Sequence, residues 1–248
     1  MEIHKIYTPV MGKAADGVMH HYARYFANKL EASLLGVHAS QSKTVLAAKT
    51  SDLSIFSDFI RDCNACGIAC ETQLRPDSWQ IVFNHADSAD LVVFPFGQRS
   101  CLPDLTLEDG HFTPSRPVLC CPDHYIDIES IALAYDGSDS AKRALDLAVW
   151  LSGKAVWPLT VLMVVENQQQ GVRRVEEVEA FLDIMTNNSA TIILPGPAEK
   201  ALHRFMQDRS VELLIMGTVG KHCPATGLMG STAASMLKVA TYPLLMVS

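Results

Sequence analysis

The chain has 248 residues, 48% of them apolar, with a formal net charge of −7. That length suits one large domain or two small ones, and the acidic balance argues against nucleic acid as the main partner, because phosphate backbones demand basic patches. No apolar run approaches the roughly 18 residues of a membrane span, and "MEIHKIYTPV" has no signal-peptide core, so no membrane is expected and a cytoplasmic location is the default expectation.

In chain order, "IHKIYTP" (3–9) reads as a strand. A helix follows over 13–32, with Val18, Tyr22, Phe26 and Leu30 on one face. "ASLLGVHAS" (32–40) is a strand, 52–66 a helix, "IACETQL" (68–74) a strand and "DSWQIVFNHA" (77–86) a helix. "DLVVFPFG" (90–97) and "RPVLCCP" (116–122) are strands. After a join within 121–130, "SIALAYD" (130–136) has the apolar run of a buried strand. Ser138 or Asp139 caps the next helix, whose apolar face is Ala141, Ala144, Leu145, Ala148 and Leu151. Then come a strand at 159–166, a helix from Arg173 to Met185, a strand at 190–196, a helix at 198–208, a strand at 211–217, a helix at 231–240 and a closing strand, "YPLLMVS" (242–248).

Strands alternating with helices imply parallel sheets covered on both faces. The two halves repeat this order at an offset of roughly 125 residues, too long for a solenoid and suited to tandem domains. The expected domains are 1–124 and 125–248. The first half lacks one element: "QRSCLPDLTLEDGHFTPS", after the strand at 90–97, has no Gly-x-x-Gly and too many prolines and acids for a fourth helix.

The corresponding stretch of the second half is "MGTVGKHCPATGLMGST" (216–232). A glycine-rich loop between strand and helix suits an anion, since glycine lets backbone amides approach it and the helix N-terminus adds more. It is not a Walker loop, because Ile215 stands five residues before Gly220 and His222 follows Lys221. Nor is it the GxGxxG dinucleotide pattern. Its spacing is Gly217, two residues, Gly220, nine residues, Gly230, then Ser231. An ordinary loop with Ser231 or Thr232 capping the helix is the competing reading.

The seven cysteines are Cys63, Cys66, Cys70, Cys101, Cys120, Cys121 and Cys223. An odd number in such a chain suggests reduced thiols. Cys63-x-x-Cys66 ends a helical pattern, where the thiol pKa is not lowered, and lacks the further ligands of a zinc site. Cys63, Cys66 and Cys70 are read as buried or half-buried thiols, and no metal site is expected.

"AYDGSDSAKRAL", "VLMVVEN" and the 217–232 loop together resemble the universal stress protein family in its tandem two-domain form. The loop fits the family's G-2x-G-9x-G-[ST] spacing without a gap. The topological likeness covers the whole chain, and the specific motifs cover 130–248. The resemblance implies two open parallel five-stranded sheets flanked by helices, of the adenine nucleotide alpha hydrolase-like kind, with strand order 3-2-1-4-5 and a degenerate first domain. It implies ATP, with or without Mg²⁺, held only by the second domain. Asp136 would meet the ribose or base edge and Val164 would pack near adenine. Gly217, Gly220, Gly230, Ser231 and Thr232 would hold ribose and phosphates, with Lys221 a candidate phosphate partner. His222 and Cys223 are read as loop filler, and no catalytic residue is assigned.

Three functions follow as alternatives: an ATP-responsive regulatory protein, a slow ATP hydrolase, or a nucleotide-free interaction module. Hydrolysis needs a positioned base and charge stabilisation, and the loop itself contains neither arginine nor acid, so binding ranks first. A flavodoxin-like protein would put its phosphate loop after the first strand of the domain, where "DGSDS" carries two repelling acids. The apolar last strands of the two halves are expected to pair antiparallel, Val118 to Cys121 against Leu244 to Val247, in an intramolecular pseudo-dimer, with a homodimer as the other arrangement.

Overall fold

The structure, a computed structural model, describes residues 2–12, 16–39, 54–75, 88–95, 116–165, 175–176, 178–179, 182, 188–208, 211–219 and 229–248. The expected helix at 77–86 lies outside these residues, and the one from Arg173 to Met185 lies mostly outside them. The described residues divide into two compact units, 2–125 and 126–248.

The first unit contains strands β1 (Lys5–Pro9), β2 (Ser33–Ala39), β3 (Cys70–Arg75), β4 (Leu91–Pro95) and β5 (Val118–Cys121), with helices α1 (Asp16–Leu30) and α2 (Ser57–Ala65). Its sheet runs β3-β2-β1-β4-β5, every pair parallel. The second contains β6 (Ile131–Ala134), α3 (Asp139–Ala155), β7 (Leu159–Val165), β8 (Ser189–Pro195), α4 (Ala198–Asp208), β9 (Leu213–Gly217), α5 (Ser231–Val239) and β10 (Leu244–Val247). Its sheet runs β8-β7-β6-β9-β10, again parallel throughout. Numbered within each unit, both orders are the expected 3-2-1-4-5.

The strands β1, β4, β5, β6, β9 and β10 are buried runs rather than alternating ones, whereas the outer β3 and β8 are partly exposed. Leu91, Val93, Val118 and Leu119 in the first unit, and Leu133, Leu214, Leu244 and Leu245 in the second, are fully buried. Parallel strands need apolar cover on both faces, which helices supply. In the first unit α1 turns Met19, Tyr22, Ala23 and Phe26 inward, each large side chain contributing about 1.5–3 kcal/mol by leaving water.

The second unit's α3 follows its sequence closely. Ser138 has extended backbone and its hydroxyl accepts from the Ala141 amide at 3.2 Å, so the cap is Ser138 and not Asp139. Ala141, Ala144, Leu145, Ala148 and Leu151 form the buried face. The helix ends at Val156, a left-handed residue with φ 60° whose amide donates to the Ser152 carbonyl.

Chain direction makes the site. From β6 the chain passes through α3 to β7 on one side, and it returns through β9 on the other. In an open parallel sheet such a reversal leaves a crevice at the carboxyl ends of the central strands.

Candidate functional site

That crevice in the second unit is a cavity of about 290 Å³, near the lower end of the range for small-molecule sites. Register explains its walls. Ala134 at the end of β6 lies beside Leu162 of β7 and Met216 of β9. The residues just beyond, Tyr135 and Asp136, therefore run between Val164 and Gly217, and all of these line the cavity. Five of the expected residues besides Asp136 are described, and all five line the same cavity: Val164, Gly217, Gly230, Ser231 and Thr232. Gly220, with Lys221, His222 and Cys223, lies outside the described residues.

The walls differ in chemistry. Leu162, Val164, Ala198 and Leu202 make an apolar side. Asp136, half-buried, is the one carboxylate among the described lining residues, and its Oδ1 accepts the Ser138 amide at 2.8 Å. This bond fixes the carboxylate at the mouth of the β6–α3 turn.

The opposite wall is the start of α5. Its N-cap is Gly230, with φ −63° and ψ 148°, and no side chain caps it. Sequence reading offered Ser231 or Thr232 as the cap, but both lie inside the helix and line the cavity. A helix that begins on glycine turns its first amides and the positive end of its dipole outward. An anion is the natural occupant of such a position. By contrast, α3 begins with its Ser138 cap in place and Asp139 in its first turn, so the two helix starts at the crevice are unlike. One start has no side-chain cap, and the other has Ser138 on its Ala141 amide.

The segment joining β9 to α5 is anchored at both described ends. The Thr218 amide donates to the Val247 carbonyl at 2.8 Å, and the Gly230 amide donates to the Thr218 carbonyl at 2.7 Å. Thr218 is fully buried. Behind the lining, Ser140 donates its hydroxyl to the Val219 carbonyl at 2.6 Å. Sequence reading named neither Ser140 nor Thr218 as part of the site, and it missed Leu162, Ala198 and Leu202. The periodic apolar face of α4 was the signal for Leu202, but the same face packs core through Phe205 and Met206.

The first unit treats the matching strand end differently. Asp16 accepts the Met11 and Gly12 amides at 2.8 and 2.6 Å, and the rings of His20 and His38 donate to the Pro9 and Val10 carbonyls at 2.8 and 2.7 Å. The segment after β1 is thus bonded by the unit's own side chains.

Of the three clustered cysteines, Cys63 is buried and Cys70 half-buried, but Cys66 is exposed because it is the C-cap of α2. Burial, reinforced by the neighbouring Cys70, pushes the Cys63 thiol up to about 12, which disfavours thiolate chemistry. Among the described residues, no group of three His, Cys, Asp or Glu side chains could hold a metal ion, and no helix is long and apolar enough to cross a membrane.

Comparison with known proteins places this geometry. A model of the Universal stress protein family matches residues 128–248. The chain is 30% identical over 132 residues to Universal stress protein Slr1230 of Synechocystis, and the match covers 52% of this chain and 46% of that protein. It thus spans about half the length of this relative. A universal stress protein from Archaeoglobus fulgidus shares the fold with a TM-score of 0.76 at 16% identity, over 99% of this chain and 98% of that one. A functionally unknown protein from Pseudomonas aeruginosa PAO1 does so with a TM-score of 0.70 at 18% identity, over 98% and 92%. Fold, crevice and family match converge on the second unit: residues 128–248 match the universal stress protein family.

Proposed function

We propose that this protein is an ATP-binding regulatory protein, with residues 125–248 as its nucleotide-holding domain and residues 1–124 as a degenerate partner domain. The observation that carries this reading is the α5 N-terminus, which opens on Gly230 with no side-chain cap and faces a cavity whose other walls are an apolar patch and one carboxylate. This ordering matches the chemistry of a nucleotide. Adenine packs against Val164 and Leu162. Asp136 accepts from ribose hydroxyls and repels phosphate, which sets the ligand's direction. Gly230, whose own amide is held by the Thr218 carbonyl, leaves the start of α5 uncovered, the amides of Ser231 and Thr232 take the phosphates, and Gly220 is assigned to them from outside the described residues. Mg²⁺ is assigned to the phosphates rather than to protein ligands.

Binding is favoured over hydrolysis because Asp136, the one carboxylate in the described lining, sits at the sugar end and is already bonded to the turn. A hydrolase needs a base and a cation at the γ-phosphate. The regulatory output is proposed to be a change in partner or shape on nucleotide occupancy. The two domains are further proposed to form an intramolecular pseudo-dimer through β5 and β10, since an apolar edge strand is a liability that proteins pair or cover.

Mass spectrometry of nucleotide released from freshly purified protein tests the central proposal. Adenine nucleotide is the expected result. A preparation that releases none and also binds no added ATP in equilibrium dialysis overturns it.

A further inference from the structure

A chain of hydrogen bonds behind the cavity joins its two polar ends. The Ser138 amide donates to Asp136 Oδ1 at 2.8 Å. The Ser138 hydroxyl accepts from the Ala141 amide at 3.2 Å and lies 3.3 Å from the Ser140 hydroxyl. The Ser140 hydroxyl donates to the Val219 carbonyl at 2.6 Å and lies 3.4 Å from the Val219 amide, which donates to it. A serine hydroxyl has one proton to give. Ser140 gives its proton to Val219, so the proton shared between the two serines is that of Ser138. Ser138 then donates in both directions, its amide to the Asp136 carboxylate and its hydroxyl to Ser140, and Ser140 carries the connection on to the Val219 carbonyl.

Ser140 does not line the cavity and is only 2% exposed. It is buried in the first turn of α3, yet its polar atom is spent on a segment 79 residues away. That segment is where β9 leaves the sheet for the α5 N-terminus, and Gly217 packs directly against Ser140. Because Thr218 in turn accepts the Gly230 amide, fixing Val219 also fixes the approach to the α5 cap.

We propose that Ser140 is a positioning residue, a latch that couples the Asp136 end of the site to Val219 beyond the end of β9 and, through Thr218, to the Gly230 cap of α5, and so sets the affinity for the phosphate part of the ligand. This rests on the nucleotide reading above and deepens it. The latch acts on the backbone that presents amides to phosphate and not on the walls that hold base and sugar. Its loss therefore discriminates between ligands that differ only in phosphate.

The experiment uses the full-length protein, with ATP and adenosine as probes in isothermal titration, on wild type, Ser140→Ala and Ser152→Ala. Ser152 is the matched control. It is a buried serine of the same helix whose hydroxyl donates to the Trp157 carbonyl at 2.6 Å, at the end away from the cavity. Ser140→Ala is expected to weaken ATP by about tenfold, the scale of one buried hydrogen bond, while leaving adenosine affinity unchanged. Ser152→Ala is expected to leave both affinities unchanged at a similar loss in melting temperature. Equal losses for ATP and adenosine, or an equal ATP loss in Ser152→Ala, reduce Ser140 to a stability role and overturn the proposal. Hydrogen exchange without nucleotide gives an independent reading: Ser140→Ala should speed exchange at the Val219 and Gly230 amides, and unchanged exchange there overturns the latch. A wild type that binds neither probe overturns the nucleotide reading itself, an outcome distinct from ATP binding that Ser140→Ala leaves intact.

Discussion

Gly217 lies so close to Ser140 that a Cβ at 217 would overlap the Ser140 hydroxyl and stand 2.9 Å from the Ala141 nitrogen and from the Ser140 carbonyl carbon. Two of these neighbours are backbone atoms of α3, which cannot swing aside. The first glycine of the loop therefore has a packing duty in addition to lining the cavity: it lets β9 dock on the start of α3. Gly217→Ala is expected to destabilise the protein by about 1–3 kcal/mol, the usual cost of overpacking. Chemical denaturation monitored by fluorescence measures it, and a stability equal to wild type would show that the contact relaxes without cost.

Gly230 makes the opposite prediction. Its φ of −63° and ψ of 148° suit any residue, so Gly230→Val should leave the fold intact while placing a side chain over the amides of α5. Added ATP should raise the wild-type stability by about 2.7 kcal/mol at a hundredfold excess over its Kd and should leave Gly230→Val unmoved. Protection of the variant by ATP would remove the phosphates from this end of the cavity. The pair of glycine variants separates packing from binding within one loop.

The contrast also shows what could be read before the structure. The parallel sheets were legible because strands alternate with helices, whereas the strand order came from the family resemblance, since β3 (CETQLR) and β8 (SATIILP) are not uninterrupted apolar runs. The α3 cap was legible as Ser138 or Asp139, because a polar residue before an amphipathic helix is a local signal, and the structure selects Ser138. Asp136 was legible because it closes a strand at the edge of a loop. Ser140 was not, since its partner Val219 is 79 residues away and a serine inside "DGSDS" reads as a solvated turn. The packing role of Gly217 was hidden for the same reason. A glycine opening a glycine-rich loop reads as anion-binding, and only the third dimension reveals the helix against it.

Val156 is a local compromise that can be relieved. It ends α3 in the left-handed region, φ 60° and ψ 41°, with 80% of its surface exposed. A β-branched residue gains little from burial there and carries the steric cost of that conformation. Val156→Gly is expected to stabilise the protein by about 0.5–1 kcal/mol, the left-handed cost less the added freedom of the unfolded chain. A rise in melting temperature checks it, and a fall would mean that the valine makes contacts which outweigh its backbone.

The buried titratable groups predict a bounded pH range of full stability. Burial lowers the pKa of His20, opposed by its bond to Pro9 and by Asp16 and Asp62, with Arg24 assisting. An unfolded chain takes up this proton near the ordinary value of 6.5, where the folded protein still declines it. The stability is therefore present above pH 6.5 and lost as pH falls from there towards the folded value. Burial raises Cys63 and Cys120 to about 12, and raises Cys121 as well. Their sign is opposite: the unfolded thiols ionise near 9.0 while the folded ones stay protonated, so stability is present below pH 9.0 and lost as pH rises above it. Denaturation midpoints should form a plateau between these limits, and His20→Leu should flatten the acid side. An acid limb unchanged in that variant would assign the loss to other groups.

Nucleotide stoichiometry tests the asymmetry between the halves. The sheets share one strand order, so topology alone would offer two crevices per chain. The difference lies in what each carboxyl-end segment does with its own polar groups. After β6, the chain bonds Asp136 to the next turn and leaves an apolar wall and the α5 start facing a cavity. After β1, Asp16 accepts the Met11 and Gly12 amides, while His20 and His38 donate to the Pro9 and Val10 carbonyls. A carboxylate on those two amides holds a place where a ligand anion would otherwise bind, and displacing it would also cost the packing of the buried His20. The sequence between β4 and β5 carries no Gly-x-x-Gly to replace what is lost. Equilibrium dialysis with labelled ATP should therefore saturate at one equivalent per chain and fall to zero in Gly230→Val. Two equivalents would show that the first unit opens its own contacts to bind nucleotide, and one equivalent surviving in the variant would place the site in the first unit.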